Sequence, residues 1–102
     1  MWTYDRVQIP SSYIENKEDT LVVNVELPGV KKQDISLSMD DGVYLVVNAE
    51  RKKDKDTVIK LKKVWDISGY TDKDIDATFE DGVLSVSLQK SEKDKSKKIQ
   101  IK

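Results

Sequence analysis

The stretch Ile75-Asp76-Ala77-Thr78-Phe79-Glu80-Asp81-Gly82-Val83-Leu84-Ser85-Val86-Ser87-Leu88 alternates apolar and polar residues on both sides of an Asp-Gly pair. Alternation with period two is the pattern of a half-buried strand, and Asp-Gly supplies the positive-φ conformers of a tight turn. The segment therefore reads as a β-hairpin. The same Asp-Gly-Val triplet stands at 41–43, between Ile35-Ser36-Leu37-Ser38-Met39 and Val43-Tyr44-Leu45-Val46-Val47-Asn48-Ala49. Two copies mark two equivalent hairpins, not a repeat array.

Working outward, Leu21, Val23, Val25 and Leu27 share one face of a strand, with Val22, Asn24 and Glu26 on the other. Pro28-Gly29 ends it, because proline lacks the ladder donor and glycine accepts a positive φ. Thr57 to Ile67 reads as a long strand with Ile59, Leu61, Trp65 and Ile67 in phase. Lys63 shares that phase, so a bulge or an edge is expected there. Residues 1–14 read as an arm or one edge strand, 15–20 as a polar turn, and 68–74 as a loop with room for one helical turn.

Composition agrees with this all-β reading. The 102 residues hold twelve Val, eight Ile and seven Leu against two Ala, and β-branched residues favour strands. The length suits one domain. With no Cys and no His, disulfides, thiolate nucleophiles and metal sites with sulfur or imidazole ligands are excluded. The acidic pairs Asp40-Asp41, Glu80-Asp81 and Asp72/Asp74 sit in or beside turns, where Asp serves the backbone. No phosphate-binding glycine loop is present. The expectation is a protein without enzymatic activity, cofactor or metal. No apolar run approaches a membrane span, and the N-terminus lacks the pattern of a signal peptide, which gives an expectation of a soluble cytoplasmic protein.

Charge is high and balanced, with 18 basic and 19 acidic side chains and a net charge of −1. Residues 51–63 carry seven basic and two acidic side chains, and 90–98 five and two. Such runs can bind phosphate, but Arg is scarce, acidic residues are interleaved and few aromatics lie near for base stacking. Solvated charge is the better reading, with no nucleic-acid and no membrane partner. The run at 90–98 holds no apolar side chain and reads as a solvated, mobile tail, yet it leads into Ile99-Gln100-Ile101. In extended conformation both isoleucines point the same way, as a two-pronged apolar plug. Undocked, the plug forgoes about 1.5–3 kcal/mol of burial per side chain.

In order along the chain, Leu27-Pro28-Gly29-Val30 with Lys32-Gln33-Asp34-Ile35, then Gly42-Val43-Tyr44-Leu45 running to Ala49-Glu50-Arg51, then Ala77-Thr78-Phe79-Glu80-Asp81-Gly82-Val83-Leu84, and last Ile99-Gln100-Ile101 resemble the motifs of the small heat-shock protein (Hsp20, α-crystallin domain) family. The third, with Ala77, Asp81, Gly82, Val83 and Leu84 as its signature, is the most specific. The resemblance covers roughly residues 9–102. It implies an immunoglobulin-like β-sandwich of seven to eight antiparallel strands over 10–90, a short N-terminal arm at 1–9 and a flexible tail at 91–102. It also implies an ATP-independent chaperone of the stress response, a holdase for partly unfolded clients that self-associates into a dimer or larger oligomer.

In the family a groove between two strands accepts the plug of a neighbouring subunit. The matching groove residues are Ile35, Leu37 and Met39 on one strand and Ile75 and Ala77 on another, and Ile99 and Ile101 match the anchor. These five could equally be plain core residues. Only five residues separate Arg51 from Thr57, which argues against the swapped strand common in the family. A dimer through Thr57, Ile59 and Leu61 paired with their own copy is the remaining strand candidate, although Lys60, Lys62 and Lys63 oppose edge pairing. The alternative function is a CS/p23-like interaction module, a co-chaperone or adaptor without holdase activity of its own.

Overall fold

The computed structural model describes residues 3–4, 7–91 and 100–101. Its strands are β1 (Thr3–Tyr4), β2 (Ser12–Asn16), β3 (Thr20–Glu26), β4 (Ile35–Asp40), β5 (Tyr44–Lys52), β6 (Thr57–Asp66), β7 (Tyr70–Glu80) and β8 (Val83–Lys90), with a short 3-10 turn at Lys32–Asp34. They form two four-stranded sheets in the orders β1-β6-β5-β4 and β2-β3-β8-β7. Every pairing is antiparallel except that of β1 with β6. The expected immunoglobulin-like sandwich is the observed fold.

Period-two alternation decides which side chains enter the core. Along β3, Leu21, Val23 and Val25 are buried and are continued by Leu27. They meet Leu45, Val47 and Ala49 of β5, Ile59, Leu61 and Trp65 of β6, and Leu84, Val86 and Leu88 of β8 in one cluster. Each fully buried Leu or Val of this set contributes about 1.5–3 kcal/mol. The outer face of β3 carries a polar exception, Asn24, which is only 4% exposed. Its Nδ2 donates to Glu15 Oε1 at 3.0 Å and its Oδ1 accepts from Ser85 Oγ at 2.7 Å, so the burial leaves no polar atom unpaired.

Both Asp-Gly pairs make the hairpins expected of them. Asp41 and Gly42 stand at φ 53° and 70°, and Asp81 and Gly82 at 51° and 78°, the signature of a primed turn whose twist matches the strands.

Three expectations need adjustment. Lys63 does point inward, but β5 and β6 pair without interruption from Tyr44↔Asp66 to Lys52↔Val58, so there is no bulge. The lysine lies at the open side of the sandwich, where its Nζ donates to Ser12 Oγ of β2 and sits 5.4 Å from the Trp65 ring centroid. The charge stays near water while the stem covers apolar surface. The bulge is on β7 instead, where the register shifts between Thr71 and Asp76 and Asp74 takes φ 56°. Strand β7 also begins at Tyr70, so most of the expected 68–74 loop is sheet.

Part of the N-terminal segment joins the sandwich. Thr3 and Tyr4 pair in parallel with Thr57 and Val58, and Gln8 bridges to Leu61.

Candidate functional site: an open groove between two sheet edges

The Lys63–Ser12 bond places β2 over β6 on one side of the sandwich. The two sheet orders then bring β4 and β7 together on the other side, each as the last strand of its sheet. An edge strand has a neighbour on one flank only, so its inward side chains are covered from one side and open on the other. Ile35, Leu37 and Met39 lie directly opposite Ala49, Val47 and Leu45 of β5, and so face inward. They are nevertheless only half-buried, and they pack against the core from its margin together with Tyr70 and Phe79.

Across the gap, Ala77 and Phe79 of β7 stand opposite the buried Val86 and Leu84 of β8. Ala77 is exposed despite facing inward, because its methyl group is too short to reach across. Ile75 lies in the bulged segment and is also exposed. The five residues expected at a groove fall on β4 and β7, each terminal in its sheet, with Ile35, Leu37 and Met39 half-buried and Ile75 and Ala77 exposed. Phe79 and Tyr70 of β7 also pack against the core from its margin and were not anticipated. Phe79 could have been found from its shared phase with Ala77. Tyr70 is separated from that phase by the bulge and carries no local signal.

The anchor expected to fill such a groove falls mostly outside the described residues. Ile99 is not among them, and Ile101 is 93% exposed. The candidate dimer residues Ile59 and Leu61 are buried in the core and Thr57 is half-buried. Ile67 N–H donates to Val43 C=O, and in the same register the backbone groups of residues 57, 59 and 61 point toward β5. The outer edge of β6 is presented by residues 58, 60 and 62. There Gln8 N–H donates to Lys60 C=O at 2.8 Å and Lys62 N–H to Gln8 C=O at 3.0 Å.

Of the signature residues, Ala77 lies on β7 in the row that faces β4, whereas Gly82 meets the Leu27-Pro28 motif at the far end of the β7–β8 hairpin. Leu27 N–H donates to Gly82 C=O at 2.7 Å, and a Cβ at Gly82 would stand 3.4 Å from Pro28 Cα. Arg51 Nη1 donates to Pro28 C=O at 3.1 Å, and its Cδ would lie 3.6 Å from a Cβ on Gly29. Three motifs far apart in sequence therefore close one knot under the β7–β8 hairpin.

Electrostatics add little at the groove. Among the described residues two exposed carboxyls are held below the ordinary value of 3.8, Asp54 in the β5–β6 connection and Asp66 at the end of β6. Ser68 donates its hydroxyl and its N–H to Asp66, and Asp56 N–H donates to Asp54. Among the described residues no group of three acidic side chains could hold a metal ion, and no helix is long and apolar enough to cross a membrane.

The match to known proteins is consistent with this geometry. Heat shock protein 16.0 from Schizosaccharomyces pombe superposes with a TM-score of 0.73 at 29% identity, over 95% of this chain and 78% of its own. A small heat-shock protein from Xylella fastidiosa shares the fold at a TM-score of 0.71 and 23% identity, over 91% of this chain and 95% of its own. A 16.9 kDa class I heat shock protein of Triticum aestivum is 46% identical over 35 residues, which are 34% of this chain and 23% of the wheat protein. The model of the Hsp20/alpha crystallin family matches residues 13–102, nearly the whole chain, and the chain belongs to that family.

Proposed function

We propose that this chain is an ATP-independent holdase that binds partly unfolded proteins along the β4–β7 groove and keeps them from aggregating. The observation that supports this reading best is the row Ile35, Leu37 and Met39, apolar and inward yet half-covered, on a strand that is terminal in its sheet among the described residues. An extended apolar segment laid there gains burial at about 25 cal/mol per Å² and finds backbone partners on an edge. The Ile99-Gln100-Ile101 segment has the same chemistry as such a client and competes for the groove, in its own subunit or a neighbour. Self-association and a cytoplasmic location belong to the same proposal.

The test is light scattering of a heat-aggregating client. Ala77→Leu fills an exposed position in the groove, so client protection falls by about half or more while the melting temperature stays within a few degrees. Replacing Ile99 and Ile101 with Gly frees the groove and changes both oligomer size and protection. Full protection by Ala77→Leu overturns the groove as the client site.

A second reading rests on the β5–β6 connection, where Lys53 N–H donates to Thr57 C=O and closes a short turn with no room for a swapped strand. That feature suits a CS/p23-like adaptor. A monomer without any client protection would favour it.

A further inference from the structure

The sandwich has four outer edges, and they are defended unequally. Strand β7 is bulged and carries Asp74 and Asp76, and β6 carries lysines and is partly covered by the chain's own N-terminal segment. Strand β4 borders the groove. Strand β2, Ser12-Tyr13-Ile14-Glu15-Asn16, has no lysine, pairs with β3 in unbroken register and exposes Tyr13 by 54% and Ile14 by 47%. Bulges, lysines and covers are the devices that keep edges from pairing, and among the described residues β2 has no bulge, no lysine of its own and no covering strand.

The hydrogen-bond phase says which backbone groups are free. Glu26 N–H donates to Ser11 C=O, and Lys17 and Thr20 exchange both bonds in the same register. Bonded and non-bonded pairs alternate along an antiparallel ladder, so Tyr13 and Glu15 bond to β3 while Ser12, Ile14 and Asn16 direct their N–H and C=O groups outward. Among the described residues no other backbone group meets these three.

We propose that β2 is a dimer edge, pairing antiparallel with β2 of a second copy about a two-fold axis at Ile14. In that register Ile14 exchanges both backbone bonds with Ile14 of the partner subunit, and Ser12 does so with Asn16 of the partner subunit. Every outward group then finds a partner. Tyr13 faces Glu15 of the partner subunit, so no like charges are opposed. Glu15 is drawn toward its own sheet by Asn24 Nδ2 at 3.0 Å, which keeps the two carboxylates apart. The pairing joins the two β2-β3-β8-β7 sheets into one continuous sheet and leaves both grooves open.

This dimer does not depend on holdase activity and is tested on the full chain by sedimentation and light scattering. Ile14→Pro removes only an outward N–H and leaves the β2–β3 ladder whole. Its expected result is self-association weakened about tenfold or more, with an unchanged circular dichroism spectrum. Lys62→Pro, which removes the N–H donated to Gln8 on the β6 edge, leaves association unchanged. The chain has no Cys, so Ile14→Cys gives an independent reading. Across the two-fold the Cα atoms would lie about 5.5 Å apart, within disulfide range, and oxidation yields a covalent dimer. Should Ile14→Pro unfold, that cross-link decides. A wild-type chain of monomer mass up to about 1 mM, a folded Ile14→Pro that associates as before, or an Ile14→Cys that stays uncoupled each overturns the proposal.

Discussion

The hairpins β4–β5 and β7–β8 carry the same Asp-Gly-Val triplet and the same positive-φ turn, yet they are built into the molecule differently. A Cβ at Gly42 would meet nothing within 4 Å, and pairing resumes only at Asp40↔Tyr44. Val43 is thereby left out of the ladder, and its carbonyl accepts instead from Ile67 N–H. In the second hairpin the strands pair directly at Glu80↔Val83, and Gly82 is pressed against Pro28 while its carbonyl accepts from Leu27. One glycine is required by the turn alone. The other is required by the turn and by a close approach from a strand end more than fifty residues earlier.

The sharpest break of this comparison is a pair of matched substitutions. Gly82→Leu combines left-handed strain with displacement of the Pro28 backbone, and should cost about 3 kcal/mol. For a domain of this size that is roughly a 10–20 °C fall in melting temperature. Gly42→Leu carries only the strain, about 1–2 kcal/mol. Equal losses at the two positions would mean that the Pro28 contact is incidental.

The knot under the second hairpin provides the next test, smaller in size. Arg51→Ala removes the bond to Pro28 C=O and should cost about 0.5–1.5 kcal/mol. Because Arg51 and Gly82 touch the same Pro28, the double variant with Gly82→Leu should depart from additivity by about 0.5 kcal/mol or more. Combined with Gly42→Leu, Arg51→Ala should simply add. Arg51→Lys should restore little, since an ammonium on a flexible stem replaces a planar fork.

These contrasts mark where the sequence stops being informative. Strands β3 to β8, both hairpins and the inward faces of β3, β6 and β8 were readable because period two is a local property. Lys63 was readable as an exception but not as its resolution, since Ser12 lies in another sheet. Strand β1 carries no periodic signal, because two residues in parallel pairing draw their stability from β6. The bulge on β7 was invisible for a related reason, as Thr71 and Asp76 are set by where β8 places its own residues. The groove candidates Ile35, Leu37, Met39, Ile75 and Ala77 came from the family resemblance, and phase could not say that they would stay half-buried or exposed. That follows only from β4 and β7 being terminal in their sheets. The signature motifs were each legible singly, whereas their meeting at Pro28 is a fact of the fold.

The smallest expected effect separates the surroundings of the two hairpins by pH. Asp66 ends β6 beside the first hairpin, and Ile67 next to it is the residue bonded to Val43. Its carboxylate accepts from the Ser68 hydroxyl at 2.7 Å and from the Ser68 N–H at 3.0 Å, and the hydroxyl is the larger cause of its lowered pKa. A carboxyl whose pKa is lower folded than unfolded adds stability above the unfolded value, and that stability is lost as pH falls through the folded value. The contribution of Asp66 is therefore complete above 3.8 and fades below it. Hydrogen exchange of the Ile67 and Ser68 amides should quicken in acid relative to the Leu27 amide under the second hairpin. In Asp66→Ala the Ser68 amide should exchange faster already at neutral pH, and its difference from wild type should close as pH drops below 3.8. A difference that persists undiminished in acid would show that the Asp66 side chain steadies this turn by some means other than its charge.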